Sequence, residues 1–205
     1  MRYFYSGEIT AAVILKLITR HKSDKSVLSE NFRYYLGEKL PKKELAKDGM
    51  ANNRLNSNMA KYVTDTATGY FMGVPPTYST TDDKFGIIKE IYDANDETTV
   101  NYEIAENMSI CGFGYDLTYI DESKNVSIVS VDPLTAFLVC DDSVKHTSVA
   151  GVRYWEVKNK NGSTRTIGDI YFAYKTVSFH TEGGRLIFDD EIQTPFSVPN
   201  LTLYP

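Results

Sequence analysis

Gly112-Phe-Gly-Tyr-Asp-Leu-Thr-Tyr119 is the stretch at which the chain changes its period. Just before it, Thr98 to Ile110 reads as a helix, capped by Thr98 or Thr99 and stopped by Gly112 and Gly114. From Tyr115 onward the pattern alternates. Tyr115, Leu117 and Tyr119 share one face, Asp121-Glu-Ser-Lys-Asn125 makes a turn, and Val126, Ile128 and Val131 resume, which predicts a β-hairpin. Helices ahead of this point and strands behind it give an α+β arrangement rather than an alternating parallel one.

Working toward the N-terminus, Phe85 to Ala94 predicts another helix, and Gly73-Val-Pro-Pro-Thr77 an extended lead-in to a short strand, since proline lacks an amide hydrogen and biases its predecessor toward extended geometry. Leu55, Met59, Tyr62, Val63 and Ala67 fall at helical spacing, which predicts a core helix closing at Gly69 or just beyond. Ile9, Val13, Leu17, Ile14 and Ile18 put an apolar stripe on a helix from Glu8 to about His21. A second helix, Val27 to Leu36, is expected to be capped by Ser26 and ended by Gly37. Residues 38–51, with Pro41, Lys42, Lys43, Lys47 and Gly49, read as an exposed connector.

Toward the C-terminus, strands are expected at Ala136 to Cys140, Val149 to Val157, Arg165 to Tyr174, Thr176 to Thr181 and Arg185 to Phe188. Asn159-Lys-Asn-Gly162 and Glu182-Gly-Gly184 supply the positive φ angles of tight hairpin turns. The expected fold is therefore α+β, with N-terminal helices followed by a mostly antiparallel β meander. Two parts are expected: residues 1–50 as a helical arm and connector, and residues 51–205 as an α+β domain.

Composition bounds the function classes. At 205 residues, with 42% hydrophobic and 24% charged residues, the chain has the makeup of a globular protein, and a disordered, collagen-like or coiled-coil chain is set aside. Fifteen Tyr and ten Phe against one Trp favour strands and half-buried surfaces. Two cysteines make neither a disulfide framework nor a metal cluster, so packing must hold the fold, as in a reducing compartment. The apolar run Ala11 to Leu15 is broken by Lys16 and preceded by Glu8, the wrong pattern for a signal peptide or membrane span, and a soluble intracellular protein is expected. The net charge of −5 hides a polarity: residues 1–62 hold 12 Lys+Arg and 6 Asp+Glu, residues 63–205 hold 10 and 21. Such a split points to contacts between subunits or partners more than to a catalytic pocket.

Reactive constellations are sparse. His21, His146 and His180 lack the paired spacing of a zinc motif. Cys111 with His146 or His180 is the pairing a small cysteine hydrolase would need, although Cys111 in Ile110-Cys-Gly-Phe-Gly114 and Cys140 in Phe137-Leu-Val-Cys140 read as buried packing residues. Asp141-Asp142 and Asp189-Asp190-Glu191 end expected strands and read as solvated turns rather than acid/base pairs. Gly112-Phe-Gly114 stands between helix and strand, the reverse of the order that cradles a dinucleotide. A nucleic-acid-binding module would draw on residues 39–47, where Lys39-Leu-Pro-Lys-Lys43 is basic. No catalytic, cofactor-binding or metal-binding residue is assigned.

Several stretches resemble a known family in order and spacing. They are Asn52-Asn-Arg-Leu-Asn-Ser-Asn58 with Tyr62-Val-Thr-Asp65, Gly69-Tyr-Phe-Met-Gly-Val-Pro75, Gly112-Phe-Gly-Tyr115 with Asp121, Val131-Asp-Pro133, Cys140-Asp-Asp142 and Val152-Arg-Tyr-Trp155. Together, from residue 52 to about residue 155, they look like the N-terminal, wing portion of the SPP1-type portal proteins of tailed phages. The resemblance implies a structural, non-enzymatic subunit without cofactors. It forms a ring of typically about a dozen copies at the capsid vertex, and cyclic closure requires two unlike faces on each copy. Basic N-terminal helices, with Lys42, Lys43 and Lys47, set against a neighbour's acidic wing are one expected pair of faces.

The implied partners are other copies of the chain, the large terminase subunit, scaffolding and capsid proteins and head-completion proteins. Double-stranded DNA passes through without sequence-specific binding, and no membrane is involved. The implied location is the virion, with assembly in the host cytoplasm. The stem, clip and crown of such proteins have no counterpart here, so the chain is expected to be a fragment or truncated copy. Thr194 to Pro205 is expected to lose the family pattern from about Ser197.

Overall fold

The computed structural model describes residues 1–38, 57–81, 85–158 and 162–205. The basic cluster Lys39 to Lys47, Leu55 and most of the turn from Asn159 to Gly162 lie outside the described residues. Helices and strands follow the order β1 (Arg2–Phe4), α1 (Ala11–Tyr35), α2 (Met59–Met72), α3 (Phe85–Ala94), α4 (Glu97–Cys111), β2 (Gly114–Ile120), β3 (Val126–Val131), β4 (Ala136–Cys140), β5 (Ser148–Lys158), β6 (Thr164–Phe172), β7 (Lys175–Glu182), β8 (Arg185–Gln193) and β9 (Leu201–Tyr204). The α+β class stands, with helices ahead of a mostly antiparallel sheet.

Two sheets form the frame. One has the order β1-β4-β5-β6-β7-β8, antiparallel except for β1 along β4; the other has the order β3-β2-β9 and is antiparallel throughout. Strand β4 is buried along its whole length because both of its faces are covered. Phe137 and Val139 point into a core with Ile14, Leu17 and Ile18 of α1, while Ala136, Leu138 and Cys140 point into a second core with Tyr115, Leu117 and Leu201. The period of two along the strand thus assigns alternate side chains to two layers. On the far face of the smaller sheet lies α4, against which Gly114 packs; a Cβ there would lie 2.8 Å from the carbonyl oxygen of Ile104. The N-terminal part of α1 covers the large sheet, the small sheet packs on the other face of that sheet, and α4 covers the small sheet, with α2 lying against α4 and the C-terminal part of α1.

Several expectations about elements need correction; among them, residues 77–81 form no strand. Helix α1 is one helix of 25 residues, not two, because no glycine or proline lies between Thr19 and Leu28 and the buried Ile14, Leu17, Ile18, His21 and Leu28 share one face. Ser26 is interior, and the N-cap is Thr10, whose side chain accepts from the Val13 amide; Gly37 with φ of 78° follows the helix as expected. Helix α4 starts at Glu97 after Asp96 rather than at a threonine cap, and the Thr99 hydroxyl instead donates to the Asp96 carboxylate at 2.6 Å. Strand β6 ends at Phe172 because Tyr174 adopts φ of 62° and turns the chain, a role composition would assign to glycine or asparagine. Strand β8 runs on to Gln193, so its carboxylates lie within a strand.

The largest correction concerns α2. The stripe expected in the core faces outward, and the buried positions are Thr64 and Thr68. The inner face seats on polar contacts around Tyr35 at the end of α1. The Asn58 amide donates to the Tyr35 carbonyl at 2.7 Å, Lys61 Nζ donates to the Tyr35 hydroxyl at 2.8 Å, and that hydroxyl donates to Glu106 Oε1 of α4 at 2.6 Å. The contacts of Asn58 and Lys61 with Tyr35 hold this face in, although the buried Thr68 hydroxyl has no hydrogen-bond partner, and the apolar side is left outward.

Candidate functional site

The nucleophile and base of the hydrolase reading are not together. Cys111 closes α4, and its electrostatic neighbours are Asp132 and the α-amino group rather than a histidine. Burial first, and Asp132 second, push its thiol up to about 12, away from the thiolate a nucleophile needs. Cys140 is enclosed in β4, and burial raises its thiol as well. His146 sits in the loop after β4 with φ of 49° and its ring against Phe4. His180 lies on β7, where Nδ1 meets Asp189 Oδ1 at 2.7 Å. Each expected partner is thus engaged elsewhere.

The carboxylate clusters divide. Asp141 organises its turn as expected, accepting from the Ser143 hydroxyl at 2.6 Å and the Thr147 amide at 2.9 Å; these bonds hold its carboxyl below the usual range. Asp189 and Glu191 instead face one side of β8, pairing with His180 and with Lys175 at 2.9 Å. Sequence reading missed the His180–Asp189 pair, although the turn at Gly183-Gly184 sets Glu182 opposite Arg185 and so brings residue 180 near residues 187 to 189. Among the described residues no group of three or more His, Cys, Asp or Glu side chains is placed to hold a metal ion. No described helix is long and apolar enough to cross a membrane.

His21 is a second feature the sequence left unassigned. It is fully buried on α1 with Nδ1 2.7 Å from the Tyr154 hydroxyl, while Nε2 has no hydrogen-bond partner. Desolvation lowers its pKa to about 3, with help from nearby positive charge, so it is neutral in the folded chain near pH 7. Its neighbours are the rings of Tyr3, Phe137 and Tyr154.

What remains uncovered is surface. A groove of about 770 Å³ opens between the two sheets, with Tyr119, Val129, Ile192 and Phe196 as apolar walls and Arg153 and Asp169 among its polar ones. On α2, Tyr62, Tyr70 and Phe71 are 64%, 95% and 63% exposed. Helix α3 has no buried residue at all. Exposed apolar faces of this extent are the kind of surface that another polypeptide covers.

The family described as phage portal protein, SPP1 Gp6-like, matches residues 14–205. The portal protein of Bacillus phage SPP1 is 27% identical over 178 residues, covering 80% of this chain and 35% of that protein. The chain therefore spans about a third of the length of the curated relative it matches. The match continues through Thr194 to Pro205, and Leu201–Tyr204 is a strand paired with β2, so the expected loss of pattern after Ser197 does not occur.

Proposed function

The chain belongs to the SPP1 Gp6-like family of phage portal proteins, and from that premise we propose that it is the wing-like part of a subunit of the ring at one capsid vertex. Viral DNA is packaged and ejected through such a ring. The observation that carries this reading is the family match over residues 14–205. In this reading residues 1–50 are the arm and connector and residues 51–205 the wing-like part, joined through the core that α1 shares with β4 and β5.

The family is structural, and the energy for DNA movement comes from a separate packaging ATPase, the large terminase subunit. Further partners are scaffolding, capsid and head-completion proteins, met during assembly in the host cytoplasm. The charge pattern supports a conduit role. Each Lys or Arg on a phosphate releases counterions and adds affinity that would impede sliding, and residues 63–205 hold 21 Asp+Glu against 10 Lys+Arg. A closed ring also needs two unlike faces on each copy. Negative-stain electron microscopy of the concentrated chain tests the reading: ring-shaped particles with an axial opening support it, and only isolated compact particles at every concentration contradict it.

A further inference from the structure

Resting on that ring reading, we propose that the ring contact is formed by the outward stripe of α2 on one copy seated in the inter-sheet groove of the next. The stripe is Met59, Tyr62, Val63, Tyr70 and Phe71, continued by Val74 beyond the helix, and all six are left largely exposed by the described residues. At about 150–250 Å² for a large side chain, their exposure amounts to on the order of 800 Å² of apolar surface. That exceeds the largest apolar patch of an ordinary monomer, about 300–600 Å², and equals the share of about 800 Å² that each partner brings to a standard interface.

The layer order supplies the second half of the argument. In β2, Asp116 and Thr118 share the face of Gly114, which abuts α4, whereas Leu117 and Tyr119 share the opposite face and line the groove. Helix α2 lies on the far side of α4. The stripe and the groove therefore lie on opposite sides of α4 and the small sheet, the groove being a cleft whose other wall is the large sheet. One presents exposed aromatic side chains and the other is a cleft with apolar walls. Unlike faces on opposite sides of one body join copies head to tail, the heterologous contact that closes into a ring. A contact of stripe on stripe would stop at a dimer. The groove's about 770 Å³ also has the size to admit the aromatic side chains that the helix presents.

Directed disulfide cross-linking of the full chain tests this. A Tyr70→Cys copy and an Ile192→Cys copy are mixed under mild oxidation; the native Cys111 and Cys140, both with raised thiol pKa values, serve as the unmodified control. A dimer cross-linked between residues 70 and 192, seen only in the mixture, is expected. Alongside it, Tyr70→Asp with Phe71→Asp should raise the concentration for half-assembly about tenfold or more in light scattering while leaving the circular dichroism unchanged, since both side chains are exposed. Self-cross-linking of the Tyr70→Cys copy alone overturns the heterologous contact. Oligomers that form without the 70–192 cross-link and ignore the aspartates overturn this interface and leave the ring reading standing. A chain that stays monomeric at every concentration overturns both.

Discussion

Gly151 of β5 and Leu201 of β9 pack so closely that a Cβ on the glycine would lie 2.6 Å from the Cβ of Leu201. This contact joins the two sheets, because Leu201 is buried between β2 and the face of the large sheet. A substituent here cannot be absorbed by a flexible side-chain end. Gly151→Ala is expected to cost about 1–3 kcal/mol through overpacking. Leu201→Ala should cost about 2–5 kcal/mol through the cavity it leaves. Chemical denaturation gives both numbers, and faster amide exchange in β2 than in β5 would show that the small sheet separates first.

His21 makes the fold acid-sensitive. Its pKa is about 3 when folded and 6.5 ordinarily, so below pH 6.5 the unfolded chain takes up a proton that the folded chain refuses. Stability from this group is complete above pH 6.5 and falls toward pH 3, by at most about 1.4 kcal/mol per pH unit. His21→Leu with Tyr154→Phe replaces both polar partners by apolar groups and should be near neutral at pH 7. The double variant is expected to show a shallower acid limb in urea titrations; an unaltered limb would remove His21 as the cause.

The thiols provide a direct test of the structural reading of Cys111. With its pKa lifted to about 12 by burial, it should react with iodoacetamide at neutral pH at least about a hundredfold more slowly than in denaturant. Rapid alkylation of the folded chain would reinstate a nucleophile.

Tyr35 ties α1, α2 and α4 through its hydroxyl and carbonyl. Burial, with the bond to Glu106 behind it, raises its pKa to about 12, so it is a neutral donor under ordinary conditions. Tyr35→Phe should cost about 1 kcal/mol and free α2 preferentially. Hydrogen exchange should then rise in α2 before it rises in β4; equal changes in both would deny the local role.

The strand half of the fold was largely legible in the sequence, because alternation and paired glycines are local signals. The hairpin from Tyr115 to Val131 and the fully buried β4 follow directly from them. Strands β1 and β9 were not legible: at three and four residues they carry no period, and their partners, β4 and β2, are far away in sequence. Periodicity found the stripe of α2 but misplaced it, since the spacing of Met59, Tyr62 and Val63 says that a face wants cover and not which body supplies it. The candidate site was not legible: the resemblance suggested a contact between subunits but set it at Lys42, Lys43 and Lys47, which lie outside the described residues. Its parts, the groove and the outward stripe, arise from how layers stack, and no short motif encodes them.

The measurement that bears most directly on the central claim is native mass spectrometry of the chain over rising concentration. A closed ring built from unlike faces gives one discrete stoichiometry well above two, with few intermediates. A monomer throughout, or a dimer that grows no further, would contradict a ring-forming subunit.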